Sequence, residues 1–414
     1  MGHRLAASDA LFARAAQVVP RGIYGTRGPL LVVPGSYPLF VRNGRGARFW
    51  DVDGNEYIDY MCGFGSIILG YADAEVDAAS REAEASGFSF SQPTEHFVAL
   101  AERLSQQIDG MAWALFTKNG SDATTYAVQV ARAATGRRKV LCARDAYHGS
   151  YPWSTPGDAG LLPEDTAHIH HFVWNDLGSV QRLVEQHRGD IAAAVVTPYH
   201  HPAFDDSELS ANGFLQELCR LARAEGFLIV SDDIRVGFRA SLRGAHTVFD
   251  YQPDLVCLSK AIANGYPLAV CLGSEEVRRA ASSVFTTGTF WMHHGPMAAA
   301  HACMDRLAAS DGVAQMAARG QQLIDGLQQV ATRHGQRLTI TGLPAMPKVR
   351  FVADRDMFRL QAFCAAATRR GAYFHPHHNW FVTTAHSEED VQRTVEIADA
   401  AMAETVAAGD RPFA

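Results

Sequence analysis

The stretch PDLVCLSKAIANGYP, residues Pro253 to Pro267, opens on an apolar run of strand length, Leu255-Val256-Cys257-Leu258, and delivers Ser259-Lys260 into a turn. Lysine is among the residues least often buried, because its ammonium loses hydration in a core. At the end of a buried strand, Lys260 is either a solvated loop residue or a reactive amine, and the stretch alone favours the solvated loop. The rest of the chain has to decide between them.

The same pattern recurs along the middle of the sequence. Apolar runs of strand length lie at 112–116, 139–143, 168–173, 192–197, 227–231, 254–258 and 267–272. Stretches with 3.6-residue periodicity separate several of them, at 121–134, 177–187 and 210–225. Strands alternating with helices predict a parallel, doubly wound sheet covered on both faces. In such sheets the ligand crevice lies at the carboxyl ends of the strands, and Lys260 occupies one of those ends.

Upstream, residues 4–18 carry apolar positions at helical spacing (Leu5, Leu11, Phe12, Ala15, Val18) and stop at Pro20. A glycine-rich loop follows with Arg21 and Arg27, either solvated or a carboxylate clamp. Residues 40–60 read as a strand meander turned at Asp53-Gly54, and helices are predicted over 73–86 and 96–108. Downstream, a long helical stretch over 296–334 leads to short strands at 337–341, 348–352 and 380–384, with two helices. The predicted fold class is α/β. A large, mostly parallel sheet domain spans 66–305, and a smaller α+β domain spans 306–414, joined by the N-terminal 1–65 and entered through a linking helix at 306–334.

The 414 residues suffice for a full hydrophobic core split into two domains, and 47% hydrophobic with 20% charged residues is a normal globular balance. A net charge of -7 without a Lys/Arg block argues against nucleic acid or an acidic membrane as partner. The sequence shows no signal-peptide core and no apolar run near the roughly 20 residues of a membrane span. Seven cysteines are scattered with no CxxC pair, which predicts buried, reduced thiols in a cytoplasmic protein. Three histidine-rich patches (His168/His170/His171, His200/His201, His375/His377/His378) lack a ligand set with supporting partners, so no metal is predicted.

Three further strand ends carry chemistry that matches a lysine amine. After the run ending at Phe116 comes Asn119-Gly120-Ser121 at a helix start, which suits an anion such as phosphate, or simple N-capping by Ser121. The run 227–230 ends on Asp232 and Asp233. A carboxylate there caps a helix, sits in solvent, or holds a heterocyclic nitrogen protonated. Such a charge-assisted hydrogen bond is worth about 1.5–3 kcal/mol, one to two pKa units of bias. After 139–142 come Tyr147-His148-Gly149, where an aromatic stacks on a flat ring or packs in the core. Amine, carboxylate, phosphate turn and stacking aromatic together fit one cofactor, pyridoxal 5'-phosphate.

In these motifs the chain resembles the class III, fold type I pyridoxal phosphate-dependent aminotransferases, and within them most the glutamate-1-semialdehyde aminomutase branch. The carrying residues are Asp232-Asp233-Ile234-Arg235-Val236-Gly237-Phe238-Arg239, Pro253-Asp254 with Ser259-Lys260, Tyr147-His148-Gly149 and Gly120-Ser121-Asp122-Ala123. The likeness runs from about Phe12 to the C-terminal AHSEEDVQRTVE. It implies a Schiff base on Lys260, which later shuttles a proton, and Asp232 on the ring nitrogen. It also implies Ile234 and Tyr147 on the two ring faces, and Gly120 and Ser121 on the phosphate, with His148 alongside. It implies a homodimer with the active site at the subunit interface, Thr289 completing the neighbour's phosphate site, and Arg27 as a substrate-carboxylate ligand.

The expected activity is amino transfer between an amino acid or amine and a keto or aldehyde acceptor. An intramolecular aminomutase, a racemase or a decarboxylase on the same scaffold, and a retired binding protein, are the alternatives. Departures from the family pattern include Asp233 in place of Glu, Thr197-Pro198 followed by Tyr199-His200-His201, and Trp291, His293 and His294 before Pro296. They place His200, Trp291 and His294 as expected substrate contacts and point to a substrate other than the family's commonest.

Overall fold

The computed structural model describes residues 3–202 and 204–409. The chain divides into two units, residues 1–73 with 314–414, and residues 74–313.

In the first unit, β1 (Val41–Arg45), β2 (Arg48–Asp51) and β3 (Glu56–Asp59) form an antiparallel meander. The turn at Asp53-Gly54 is shaped by Asp51, whose Oδ1 accepts from the N–H groups of Asp53 (3.0 Å) and Asn55 (2.8 Å). Gly54, at φ 88°, takes the left-handed step that a side chain would resist.

The second unit contributes β4 (Trp113–Thr117), β5 (Lys139–Ala143), β6 (Ile169–Phe172), β7 (Ile191–Val196), β8 (Leu228–Asp232), β9 (Leu255–Leu258) and β10 (Ala269–Gly273). They order as β4-β10-β9-β8-β7-β5-β6, with β10 antiparallel to both its neighbours and every other pairing parallel. Their composition explains the arrangement. All six residues of β7 (IAAAVV) and all five of β10 (AVCLG) are buried, as strands covered on both faces must be. Alternate side chains feed two cores. Val140, Val195 and Val230 pack with the helix Gly120–Thr135 through Ala127 and Ala131, whereas Leu141, Val196 and Ile229 pack with the helix Phe214–Glu225 through Leu215 and Leu218.

The chain then returns to the first unit with β11 (Leu338–Thr341), β12 (Lys348–Phe351) and the short β13 (Ala372–Tyr373), which pairs parallel with β3. Its core centres on Tyr60, Phe363, Phe374 and Trp380, the last two stacked at 3.8 Å.

Two expectations change here. The helical stretch predicted over 296–334 is two helices, His294–Ala309 and Gly312–Arg333, parted where Asp311 turns left-handed at φ 50°. The strand predicted over 380–384 does not form, although its apolar residues are buried. The N–H groups of Trp380 and Val382 reach the carbonyls of Pro347 and Ala345, while those of Phe381 and Thr384 reach Tyr60 and Ile68. With its donors divided between two neighbours, the segment continues no single ladder.

Among the described residues no helix is long and apolar enough to cross a membrane, and no group of three or more His, Cys, Asp or Glu could hold a metal ion. All seven cysteines are buried thiols outside any disulfide.

Candidate active site

Because β4, β5, β7, β8 and β9 run in the same direction, the residues that follow them gather along one edge of the sheet. β8 ends on Asp232, only 5% exposed. Its Oδ2 accepts from His148 Nδ1 at 2.9 Å and its Oδ1 from the Ile234 N–H at 3.2 Å. His148, after β5, is held in turn by Thr124 Oγ1, which donates to its carbonyl at 2.8 Å. With Nδ1–H committed to the carboxylate, His148 Nε2 is buried without a protein partner. A carboxylate offers about four lone-pair positions, so Asp232 keeps capacity for a ligand N–H.

Strand alternation sends Asp233 to the opposite side, where it is fully buried. It accepts from Ser231 Oγ and, at 2.9 Å, from the Ala245 N–H. The shortened carboxylate expected near the active-site mouth therefore serves the core.

Burial pushes the Asp233 carboxyl up from 3.8 to about 6, against the bonds from Ser231 and Ala245. An acid whose folded pKa lies above its unfolded value favours the fold most when protonated. Its contribution therefore declines as pH rises from 3.8 to about 6, by about 3 kcal/mol in all, and levels off above. Asp233→Asn is expected to remove this decline. Thermal unfolding of both proteins at about pH 4 and about pH 7 checks it. A gap between them that is equal at the two pH values would exclude Asp233 as the source.

Lys260 stands just past β9, half-buried, as the first residue of a short 3₁₀ turn, Lys260–Ala263. Its φ of 49° is left-handed, a conformation that costs a non-glycine residue of the order of 1 kcal/mol and collects at functional sites. Ser259, extended before it, anchors the turn by donating Oγ to the Leu268 carbonyl at 2.9 Å.

Past β4, the helix Gly120–Thr135 begins with a capping box: Asn119 accepts from the Asp122 N–H, and Asp122 accepts from the Asn119 N–H. The cap is Asn119, so Ser121 is released from that role. Its Oγ accepts from the Ser150 N–H at 3.1 Å. The first N–H groups of a helix have no intrahelical acceptor, and the positive end of its dipole lies there. Gly120 is required by close packing: a Cβ there would sit 2.5 Å from Ile234 Cδ1. Gly149 likewise leaves room for Ser121, whose Oγ would lie 2.7 Å from a Cβ at 149. The structure thus brings together Gly120, Ser121, His148, Asp232 and Ile234. Tyr147 stands half-exposed beside them, its hydroxyl pKa raised by burial, against the charge of Arg235 and with that of Asp232.

The expected substrate contacts separate. His200 is buried and stacks on Trp174 at 5.7 Å, and burial lowers its pKa to about 4. His294 is 1% exposed, stacks on Phe90 at 5.4 Å, and donates Nε2–H to the Ala83 carbonyl at 3.0 Å. Its ring serves helix packing. Trp291 folds back over Gly288, where a Cβ would lie 2.4 Å from the indole, and Thr289 is exposed on the same loop. Arg27 belongs to the other unit, its guanidinium 5.0 Å from the ring centre of Phe64.

Two residues at this edge were not singled out from the sequence, although His201 lies in the unusual Thr197–His201 segment. Arg235, three residues past Asp232, donates Nη1 to the His201 carbonyl at 3.4 Å, and His201 is 5% exposed. The clue to both was position after a strand end, obscured by the neighbouring His200.

The family model for aminotransferase class-III matches residues 32–397. The chain belongs to the class-III aminotransferases. It is 40% identical over 388 residues, 94% of this chain and 92% of the relative, to the aminopentol aminotransferase of Sphingopyxis macrogoltabida. It is 32% identical, over 96% of this chain and 98% of the relative, to a glutamate-1-semialdehyde 2,1-aminomutase of Anaeromyxobacter sp. (strain Fw109-5). The structure of the PLP internal aldimine form of the FumI protein of Sphingopyxis sp. MTA144 superposes with a TM-score of 0.95 at 39% identity, covering 97% of each chain.

Pyridoxal phosphate is the cofactor of this class-III aminotransferase, and its residues fit that group. Asp232 keeps acceptor capacity, Gly120 keeps the helix start bare, and Lys260 supplies an amine on the same edge. In this enzyme Gly120→Ala would push the new methyl into Ile234. Overpacking of that kind costs about 1–3 kcal/mol, so cofactor binding is expected to weaken by about 10- to 100-fold. Equilibrium dialysis of the cofactor measures it; unchanged retention would mean that Ile234 yields freely.

Proposed function

We propose that this enzyme moves an amino group between two molecules, taking it from an amine or amino acid and giving it to a keto or aldehyde acceptor, with a hydroxylated amine as the preferred donor. The observation that carries the reading is the 40% identity over 94% of the chain to an aminopentol aminotransferase. The buried imidazole of His201, with Nε2 unpartnered, supports an uncharged polar substrate after β7.

Bound pyridoxal phosphate supplies a ring that takes up the electron pair left when a proton leaves the carbon beside the transferred nitrogen. Lys260 provides the amine that receives the cofactor and then, neutral, takes and returns that proton. Asp232 keeps a proton on the ring nitrogen, and His148 fixes the carboxylate's direction. Ile234 and Tyr147 cover the two ring faces. Gly120 and Ser121 hold the phosphate at the helix N-terminus. Thr289 completes that cradle from a second copy, supported by its exposed loop, on which Phe285 (88%) and Phe290 (58%) also lie open. That loop suits the interface of a homodimer, and seven buried thiols suit a reducing cytoplasm.

Incubation with one amino substrate and no acceptor tests the reading. A transaminase stops after a single half-reaction per site and resumes when a keto acid is added. Continued turnover on one substrate would instead establish the aminomutase, which the 32% relative represents.

A further inference from the structure

We propose that His201 selects substrates with a hydroxyl next to the transferred amino group, accepting that hydroxyl's hydrogen bond at Nε2. The proposal rests on the aminotransferase reading and adds a residue that reading does not use. β7, β8 and β9 are consecutive neighbours in the sheet and run in the same direction. His201, past the end of β7, therefore falls on the edge that carries Asp232, Arg235 and Lys260. Arg235 Nη1 on the His201 carbonyl, at 3.4 Å, ties this loop to the segment after β8. The imidazole is 5% exposed, edge-on to Tyr199 with ring centres 5.3 Å apart.

One tautomer suits these surroundings. The ring's own backbone carbonyl favours its charged form, as an Nδ1–H turned toward it would, while Nε2 is buried without a partner. A donating Nδ1–H leaves the lone pair on Nε2. Burial first, then the charge of Arg235 with smaller effects of His200 and Lys260, holds the ring below the ordinary histidine range, against the carbonyl bond. His201 is thus a neutral acceptor.

A buried acceptor in a site discriminates for ligands that bring the matching donor. The substrate nitrogen has to take the place of the Lys260 nitrogen, so the donor is a second group on the substrate. A second ammonium would face the Arg235 guanidinium and be repelled. A hydroxyl on the adjacent carbon carries no such charge.

The test compares alaninol with isopropylamine as amino donors of the holoenzyme, and hydroxyacetone with acetone as ligands of its amino-loaded form by calorimetry. Wild type is expected to prefer the hydroxylated member of each pair by about 10- to 100-fold, mainly through KM and Kd. His201→Phe, which keeps ring size and removes the acceptor, is expected to bring both ratios to within about threefold of unity. His201→Gln, which can place an oxygen near Nε2, is expected to retain an intermediate preference. A wild type without preference, or a cofactor-loaded His201→Phe variant that keeps it, overturns the proposal. If neither amine is converted, the aminotransferase reading fails, and the ketone pair still decides the role of His201.

Discussion

Lys260→Ala is expected to lower turnover by at least about a thousandfold, the upper part of the range for losing a positioned proton-transfer group. The variant should still hold cofactor through the cradle at Gly120 and Ser121, but no longer covalently. The chain makes this a sharp experiment, because it contains only four lysines: Lys118, Lys139, Lys260 and Lys348. Borohydride reduction of the holoenzyme followed by peptide mass spectrometry should mark Lys260 in the wild type and no lysine in the variant. Lys118 is the informative competitor. Burial lowers its pKa to about 8, and its Nζ donates to the Pro267 carbonyl at 3.1 Å at the end of β4. Lys348 is 1% exposed in the other unit, and Lys139 stands at the opposite, amino end of β5. A mark on Lys118 in the wild type would refute the assignment of Lys260.

The second large effect belongs to Asp232. Asp232→Asn preserves shape but removes the charge facing the ring nitrogen, and with it about 1.5–3 kcal/mol of preference for the protonated ring. Turnover is expected to fall by at least about 10- to 100-fold. The sign of the accompanying pH effect follows from the charge. A carboxylate raises the pKa of the nitrogen it faces, so removing it lowers that pKa and activity retreats toward lower pH. His148→Phe separates positioning from charge: it removes the 2.9 Å bond to Oδ2 and leaves the carboxylate in place. Its loss should be smaller, with a smaller displacement of the pH profile. An Asp232→Asn enzyme with wild-type turnover and profile would place the charge elsewhere.

Much of the fold was legible because parallel strands buried on both faces are nearly continuous apolar runs. The runs read at 139–143 and 192–197 became β5 (Lys139–Ala143) and β7 (Ile191–Val196) almost unchanged. Trp380–Thr384 misled for the same reason, since an apolar run reports burial and says nothing about which neighbour takes its N–H groups. Helix capping at 119–121 was ambiguous locally, because Asn and Ser are both good caps. The reciprocal bonds between Asn119 and Asp122 decide it.

The sequence by itself determined the alternating α/β architecture, the placement of Lys260, Asp232 and Gly120 after strand ends, and the family. Those features depend on local periodicity and on residues adjacent in the chain. Only the tertiary structure decided that Asp232 meets His148 across 84 positions while Asp233 turns into the core. It likewise sent His294 to the Ala83 carbonyl, stacked His200 on Trp174, and left His201 with a buried, unmatched Nε2 past the end of β7. Three histidines look alike in a sequence. Burial and hydrogen-bond partners, set by strands far apart in the chain, distinguish them.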